Sequence, residues 1–532
     1  MNDWMEKTIP QVLRETTERW GDRVAVVHPR GRMTYRELYA QVCAFAHGLK
    51  KMGLKPGDHV ATLMGVFPEW IVAKYGVLLA GGVLVPINIT LTPKEMEFIL
   101  KQSDASTLIT MDEFRGKDFL SLLAAIRSGL PKTVILFSRE GKQHAPYADF
   151  QEIIQEGRDV TGEKVREWES ALRPENLCYI LYTSGSTAFP KGALRNHRSL
   201  IGIAHFLIDQ ALGIAEEDRL LSYFPFYHIA GCVYNVLGAH LRGSSLHLLE
   251  SFDPEETLRV VDEEKITLLG GFETHFNLLI HHPHFKKYNV TSVRKILLAT
   301  GPEWYDRVKG AGMGSEVITH HYGFTEGTGV VVPYEEQDYT KRKYTNGKPF
   351  AGVELKIAHP ETGKRLAAGQ AGEICLRGWT LFQGYYKMPE ETRRSLDEEG
   401  FFHTGDYGWL DEEGFLYYRG RYKMMVKTGG ENVSEKEVEV VVEEHPDIKA
   451  VQVVGVPDPI WGEAVTAVIE PKAGRSLGKE DIINFCRGKL AGFKIPKNVV
   501  FVQSHEWPVT PTGKMIKADL KKLAVERLGI KV

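Results

Sequence analysis

The sequence predicts an α/β protein: a large N-terminal unit of α/β layers with a small β-barrel-like subdomain, then a small C-terminal α/β domain. Three observations predict it. A chain of 532 residues is too long for one ordinary core, so it divides into two or more packed units. Its first 150 residues alternate helical and strand-like patterns, as layers built on parallel strands do. From Tyr344 the texture changes to short β-rich runs joined by glycines, and after Lys423 compact α/β texture returns.

The elements follow in order. Met1–Arg19 carries Asp3, Glu6 and Glu15 within an amphipathic helical pattern, unlike the apolar run of a signal peptide. Thr34-Tyr-Arg-Glu37 reads as a capping box opening a helix to about Lys51, followed by a strand over His59–Met64. Thr92 and Pro93 repeat the start signal as N-cap and first helical residue. Strands over Leu108–Thr110 and Thr133–Phe137 come next. The longest apolar stretch, Tyr75–Ile87, is too short to span a bilayer and is broken by Gly81, Gly82 and Pro86. It reads as a buried α/β unit, and no integral membrane segment is expected.

Gly347-Lys-Pro, Gly352, Gly372–Gly378 and Gly414–Gly420 read as short strands and glycine turns of the β-rich subdomain, about 344–421. Beyond it a helix over Glu435–Glu444, a strand over Ile448–Val456, a helix over Lys479–Leu490 and a strand over Asn498–Val502 form a compact domain. The boundary falls near Arg421–Lys423, dividing 1–421 from 422–532.

Composition excludes several classes. With 43% hydrophobic and 25% charged residues the chain is an ordinary globular protein. Lys plus Arg (66) nearly balance Asp plus Glu (69), for a net charge of −3, so nothing in the charge draws it to nucleic acid or an anionic membrane. The five cysteines are scattered without a CxxC pair, which indicates neither a disulfide framework nor a thiolate metal site and suits a reducing cytoplasm. His281-His282-Pro283-His284 tempts a metal reading, but it lacks thiolates or a spaced carboxylate, and Pro283 interrupts helical spacing.

The strongest chemical signal is Tyr182-Thr-Ser-Gly-Ser-Thr-Ala-Phe-Pro-Lys-Gly192, after the strand-like run Leu177–Leu181. Glycine lets backbone N–H groups converge on an anion, hydroxyls add donors and Lys191 adds charge. The segment does not align to a Walker loop. A polar surface loop is the plain alternative, and the position after a buried strand favours the phosphate reading.

At this point the chain resembles the adenylate-forming superfamily, which includes acyl-CoA synthetases, aryl-CoA ligases, luciferases and peptide-synthetase adenylation domains. Residues 182–192 are similar to its phosphate loop, with Ser186 in place of Thr and Ala188 in place of Gly. The resemblance implies an ATP/AMP site of Thr183, Ser184, Gly185, Ser186, Thr187 and Lys191, with Gly301, Pro302 and Glu303 on the adenine side. His321, Tyr322 and Gly323 lead into Tyr322-Gly-Phe-Thr-Glu326, where the aromatic flanks adenine, Thr325 contacts phosphate and Glu326 holds Mg²⁺. A hard cation bridging phosphates suits one carboxylate plus waters. Thr404-Gly-Asp406 matches the ribose-binding carboxylate, Arg421 the ribose-contacting arginine and Lys423 the hinge.

Pro508-Val-Thr-Pro-Thr-Gly-Lys514 resembles the motif bearing the catalytic lysine, whose ammonium meets charge building on the attacked phosphate. Residues 423–433 resemble the loop that shapes a pantetheine tunnel, which places CoA at Gly429, Gly430 and Glu431; Ser434 replaces a common proline. Phe224-Pro-Phe-Tyr-His228 fits the segment ending in a histidine beside the substrate carboxylate. By family position His228, Ala230, Gly231, Gly271, Phe272, Gly301, Gly323 and Thr328–Val330 line or neighbour the acyl pocket, where the small residues at 231, 271 and 301 suggest room for more than acetate. Glu273, if it faces that pocket, disfavours diacids.

These motifs stand in family order across essentially the whole chain. They imply an ATP- and Mg²⁺-dependent ligase that makes an acyl-adenylate and passes the acyl group to CoA, with a mobile C-terminal domain. A medium-chain, alicyclic or aromatic acid is expected. A carrier-protein acceptor, a luciferase-like oxygenase and a non-catalytic nucleotide-binding scaffold stay open as alternatives, as does a homodimer.

Overall fold

The computed structural model describes residues 3–126, 129–183, 190–299, 302–421, 425–428, 431–433, 435–459, 461–490, 492–510 and 515–530. Two large sheets form the body of the N-terminal unit. The first runs Lys191–Asn196, Leu177–Thr183, Val83–Pro86, His59–Leu63, Thr107–Met111, Thr133–Phe137 and Ala148–Asp149 from edge to edge. Beyond the antiparallel hairpin of its first two strands, every pairing is parallel. Parallel neighbours need a crossover, and the helices Pro68–Leu79, Pro93–Gln102 and Phe119–Ala125 supply it.

Local signals start these helices where the sequence places them. Thr34 accepts from the Glu37 N–H at 3.2 Å while Glu37 accepts from the Thr34 N–H at 2.8 Å, capping the helix Tyr35–Lys51. Thr92 and Glu95 make the same reciprocal pair for Pro93–Gln102. The apolar stretch 75–87 is the end of one buried helix, a turn with Gly81 at φ +87°, and the buried strand Val83–Pro86. Among the described residues no helix is long and apolar enough to cross a membrane.

The second sheet runs Lys348–Pro349, Gly327–Val331, Val317–Phe324, Lys295–Ala299, Leu268–Phe272, Arg219–Ser222, Ser245–Leu248, Val24–His28 and Gly31–Thr34. Its central strands are parallel. They therefore deliver their C-terminal ends to one edge, where ligands bind in open α/β sheets. Residues 223–228, 273, 302–303 and 325–326 come soon after the strands ending at Ser222, Phe272, Ala299 and Phe324. That topology collects scattered sequence motifs at one place.

The β-rich segment is a four-stranded antiparallel meander of Val353–Ala358, Gly372–Gly378, Phe402–Leu410 and Leu416–Arg421. Lys348–Pro349, read with this segment in the sequence, pairs instead with Gly327–Val331 of the second large sheet.

Beyond Arg421, the long hairpin of Ile448–Asp458 and Gly462–Pro471 is joined by the parallel strand Asn498–Phe501 and the small hairpin Val426–Thr428/Glu431–Val433. The helices Glu435–Glu443 and Lys479–Cys486 bury Val438, Val442 and Ile482 on one face, and Lys517–Arg527 buries Leu520 and Ala524 on the other. The strand Gly462–Pro471 and the last helix escape the sequence reading. The helix expected over Lys479–Leu490 ends at Cys486, because Arg487 turns extended and Gly488 takes φ +75°.

Candidate active site

The strands Val317–Phe324 and Gly327–Val331 turn so tightly that Phe324 pairs with Gly327, leaving Thr325 and Glu326 at the tip. Gly323 is required there, since a Cβ would lie 2.5 Å from Thr328 Oγ1. The tip is held by its backbone. Arg195 donates from Nη1 to the Thr325 carbonyl at 2.7 Å and from Nη2 to the Thr380 carbonyl at 2.9 Å. The Phe382 N–H donates to the Glu326 carbonyl at 2.7 Å. Thr325 and Glu326 keep half-buried side chains, and the Tyr385 hydroxyl donates to Glu326 Oε1 at 2.7 Å. Burial draws the Arg195 guanidinium down to about 10, leaving it charged at neutral pH.

On the phosphate-loop side, Leu177–Thr183 and Lys191–Asn196 form a hairpin in which Thr183 pairs with Lys191. Ser184, Gly185, Ser186 and Thr187 lie outside the described residues. The Lys191 ammonium donates to Glu391 Oε2 at 2.5 Å and lies 5.2 Å from the centre of the Tyr385 ring. Tyr385 therefore touches both the loop lysine and the tip carboxylate.

The residues expected on the nucleoside side lie on or beside the meander. Asp406 and Arg421 face each other across its last two strands, with Arg421 Nε 3.3 Å from Asp406 Oδ1. The Tyr322 hydroxyl donates to Asp406 Oδ2 at 2.7 Å. Tyr322 is only 6% exposed, whereas Tyr418, its ring centre 5.7 Å away, is 39% exposed. Tyr418, which the sequence analysis did not single out, is thus the more exposed aromatic beside Asp406, and Tyr322 directs its hydroxyl to the carboxylate. His321 turns inward, edge-on to Tyr234, and among the described residues its Nδ1 has no hydrogen-bond partner. Burial first, and His320 second, hold its imidazole near 4, hence neutral.

The acyl side departs from expectation in its small residues. A Cβ on Gly231 would meet the Pro225 and Phe224 carbonyl oxygens at 2.5 and 2.7 Å, so this glycine serves the turn after His228 rather than opening a pocket. A Cβ on Gly271 would meet the Phe276 ring at 2.8 Å and the Tyr223 hydroxyl at 3.2 Å, so aromatic side chains already fill that space. Gly329 packs against Leu376 and Val353, and Val330 is fully buried. Ala230 and Thr328 are buried, Thr328 Oγ1 sharing a 2.8 Å hydrogen bond with Tyr234. Phe272 stands edge-on to Phe224. His228 is half-buried and accepts from the Ala230 N–H at Nδ1, 3.2 Å away. Glu273 faces Lys436 of the C-terminal region at 3.4 Å, so its charge is answered there rather than turned on a substrate.

Gly301, Lys423, Gly429, Gly430 and Lys514 lie outside the described residues. Some residues near them are described. Pro302 precedes the helix Glu303–Gly310 as its N-cap, Thr428 pairs with Glu431, and Val509, near the start of the tail motif, bridges Met515 just beyond it. Lys517 donates to the Val453 carbonyl at 2.7 Å and pairs with Glu435 at 3.1 Å and with Glu439. Two ion pairs from the helix Glu435–Glu443 reach the N-terminal unit: Lys436 to Glu273, and Glu443 to Arg307 at 2.9 Å.

Glu326 is a fitting holder for Mg²⁺. It offers a hard oxygen from a single carboxylate, and among the described residues Oε2 accepts no hydrogen bond. A different grouping, Glu373, Cys375 and His403, also brings potential ligand atoms within 4.8 Å of one another. Hydrogen bonds to Cys375 and Glu373 raise the His403 imidazole to about 10, and His403 is paired with Glu373 at 2.8 Å. His284 of the histidine cluster pairs with Glu255 at 2.7 Å.

A tip carboxylate, a loop lysine and a strand carboxylate are thus held on neighbouring elements, and the chain belongs to the AMP-binding enzyme family, whose sequence pattern matches residues 13–386. Its AMP-binding enzyme C-terminal domain matches residues 437–514. The putative acyl-CoA synthetase YngI of Bacillus subtilis is 33% identical over all of this chain and 99% of its own. A Rhodococcus jostii CoA ligase for a methyl-dioxo-octahydroindenyl propanoyl group is 31% identical over 97% of this chain and 98% of its own. The anthranilate CoA ligase AuaEII, solved with anthranoyl-AMP, superposes with a TM-score of 0.87 at 25% identity over 99% of both chains. The protein is an AMP-forming acid–CoA ligase of the adenylate-forming superfamily.

Proposed function

We propose that the chain is a cytoplasmic ligase for a medium-chain, alicyclic or aromatic carboxylic acid, working in two half-reactions on one site. In the first, the substrate carboxylate oxygen attacks the α-phosphorus of ATP; the bond to the outer phosphates breaks, giving acyl-AMP and pyrophosphate. Residues 183–191 hold the outer phosphates, Asp406 and Arg421 take the ribose, and Lys514 meets the charge that builds on the attacked phosphate. Glu326 would hold Mg²⁺, which would supply charge neutralisation to the phosphates. His228 orients the acid.

In the second half-reaction the CoA thiolate attacks the acyl carbon, forming the thioester bond as the bond to AMP breaks. The C-terminal domain, 422–532, turns about Lys423 between the steps and exchanges Lys514 for Gly429, Gly430 and Glu431. The two ion pairs from Glu435–Glu443 support an arrangement in which the hairpin side of that domain faces the N-terminal unit.

The observation that carries the reading is the meeting of Glu326 and Lys191 at Tyr385, which brings two remote phosphate-binding motifs together. The aromatic cluster of Phe224, Phe272 and Tyr223, together with relatives named for ring-bearing acids and for medium-chain acyl groups, supports these acid classes. The test is pyrophosphate release and thioester formation over a panel of acids, with CoA and with a holo-carrier protein. Thioester with CoA for one of the three classes is expected. Release of pyrophosphate with none of them, or thioester on the carrier alone, overturns the assignment.

A further inference from the structure

We infer that Tyr385 and Glu391 set the phosphate end of the site before ATP arrives, Tyr385 as a positioning residue for Glu326 and Glu391 as a removable counter-ion for Lys191. This rests on the proposed reading of Glu326 and Lys191 as the phosphate and metal end of an ATP site.

Tyr385 is fixed by its backbone. Leu194 N–H donates to Gly384 O at 3.0 Å, Gln383 N–H to Leu194 O at 2.9 Å and Tyr386 N–H to Gly192 O at 2.8 Å, zipping 383–386 onto the strand that begins with Lys191. The ring is 8% exposed, so its hydroxyl reaches Glu326 Oε1 from an anchor that cannot drift without opening those bonds. A hydrogen bond from a neutral hydroxyl fixes which carboxylate oxygen stays available to a cation, and it leaves the carboxylate its full charge.

Glu391 is placed differently. It sits on the short helix Pro389–Arg394 with a third of its side chain exposed, and its carboxylate holds Lys191 at 2.5 Å. A triphosphate carries more negative charge and outcompetes one carboxylate for that ammonium. Glu391 can then turn to water or to Arg394, 3.3 Å from its other oxygen. The pair keeps Lys191 over the Tyr385 face, at the mouth of the loop, and opposes weak anions while yielding to a strong one.

The two roles have opposite signs, which makes them separable. The experiment is calorimetric titration of ATP into the full chain without acid or CoA, once with Mg²⁺ and once with a chelator. Tyr385→Phe keeps the ring and is expected to weaken binding about tenfold with Mg²⁺ and to leave it unchanged with the chelator. Glu391→Gln is expected to tighten binding about threefold under both conditions, the gain shrinking as salt rises. Equal loss for Tyr385→Phe with and without the metal overturns its positioning role, and unchanged or weaker binding by Glu391→Gln overturns the counter-ion. Failure of the unmodified chain to bind ATP at all overturns the proposed function instead.

Discussion

Arg195 Nη1 donates to the Thr325 carbonyl 2.7 Å away, so a cation with no exposed surface carries the tip on which Glu326 sits. Arg195→Met removes both donors and leaves the Thr325 and Thr380 carbonyls unsatisfied. The expected loss is about 3 kcal/mol in urea denaturation, with ATP binding weakened even where the chain is fully folded. Unaltered affinity in the folded variant would mean the tip does not need its support.

The two half-reactions should separate by mutation. Lys514→Ala is expected to cut acyl-AMP formation by about 100-fold or more, yet still convert supplied acyl-AMP and CoA. Gly430→Val should do the reverse. Equal loss of both steps in both folded variants contradicts an exchange of groups at one site.

Lys436 and Glu273 are each about a quarter exposed, so their pair is worth little to stability and more to posture. Lys436→Glu is expected to slow the thioester step about threefold and to leave adenylation alone. Adding Glu273→Lys should restore the rate, most visibly at low salt. A double variant no faster than the single one would show that the contact does not help set the arrangement.

His403 gives the fold a pH signature. Its imidazole is raised to about 10 by Cys375 and Glu373, above the usual unfolded value near 6.5. A raised basic group contributes its stability in full below the unfolded value and loses it as pH climbs through the folded one. Stability should therefore fall between pH 6.5 and 10, by roughly 1 kcal/mol after solvent screening of a partly exposed ring. His403→Gln should flatten that slope in denaturation curves; a slope identical to the unmodified chain's would assign it to other groups.

What the sequence reveals is what local chemistry determines. Thr34 with Glu37, and Thr92 with Glu95, announce their helices because a cap is made within four residues. The family is equally legible, since its motifs are short runs whose composition stands in the sequence itself. Arg195, Tyr385 and Tyr418 are not, because each acts on a partner that only the folded sheets bring near. Gly231 and Gly271 show the same limit from the other side. A glycine's reason is the atom its missing Cβ would strike, and here those atoms are a nearby backbone turn and the Phe276 ring, not a cavity.

Asp406 and Arg421 stand opposite each other on the last rung of the meander, and from Arg421 the chain departs for its tail. If the ribose rests on that rung, the place where the sugar is gripped is also the place from which the tail hangs. A loaded rung and a vacant one then give the tail different footings. Sequential order would need no separate sensor, because the leaving of the nucleotide would itself be the news.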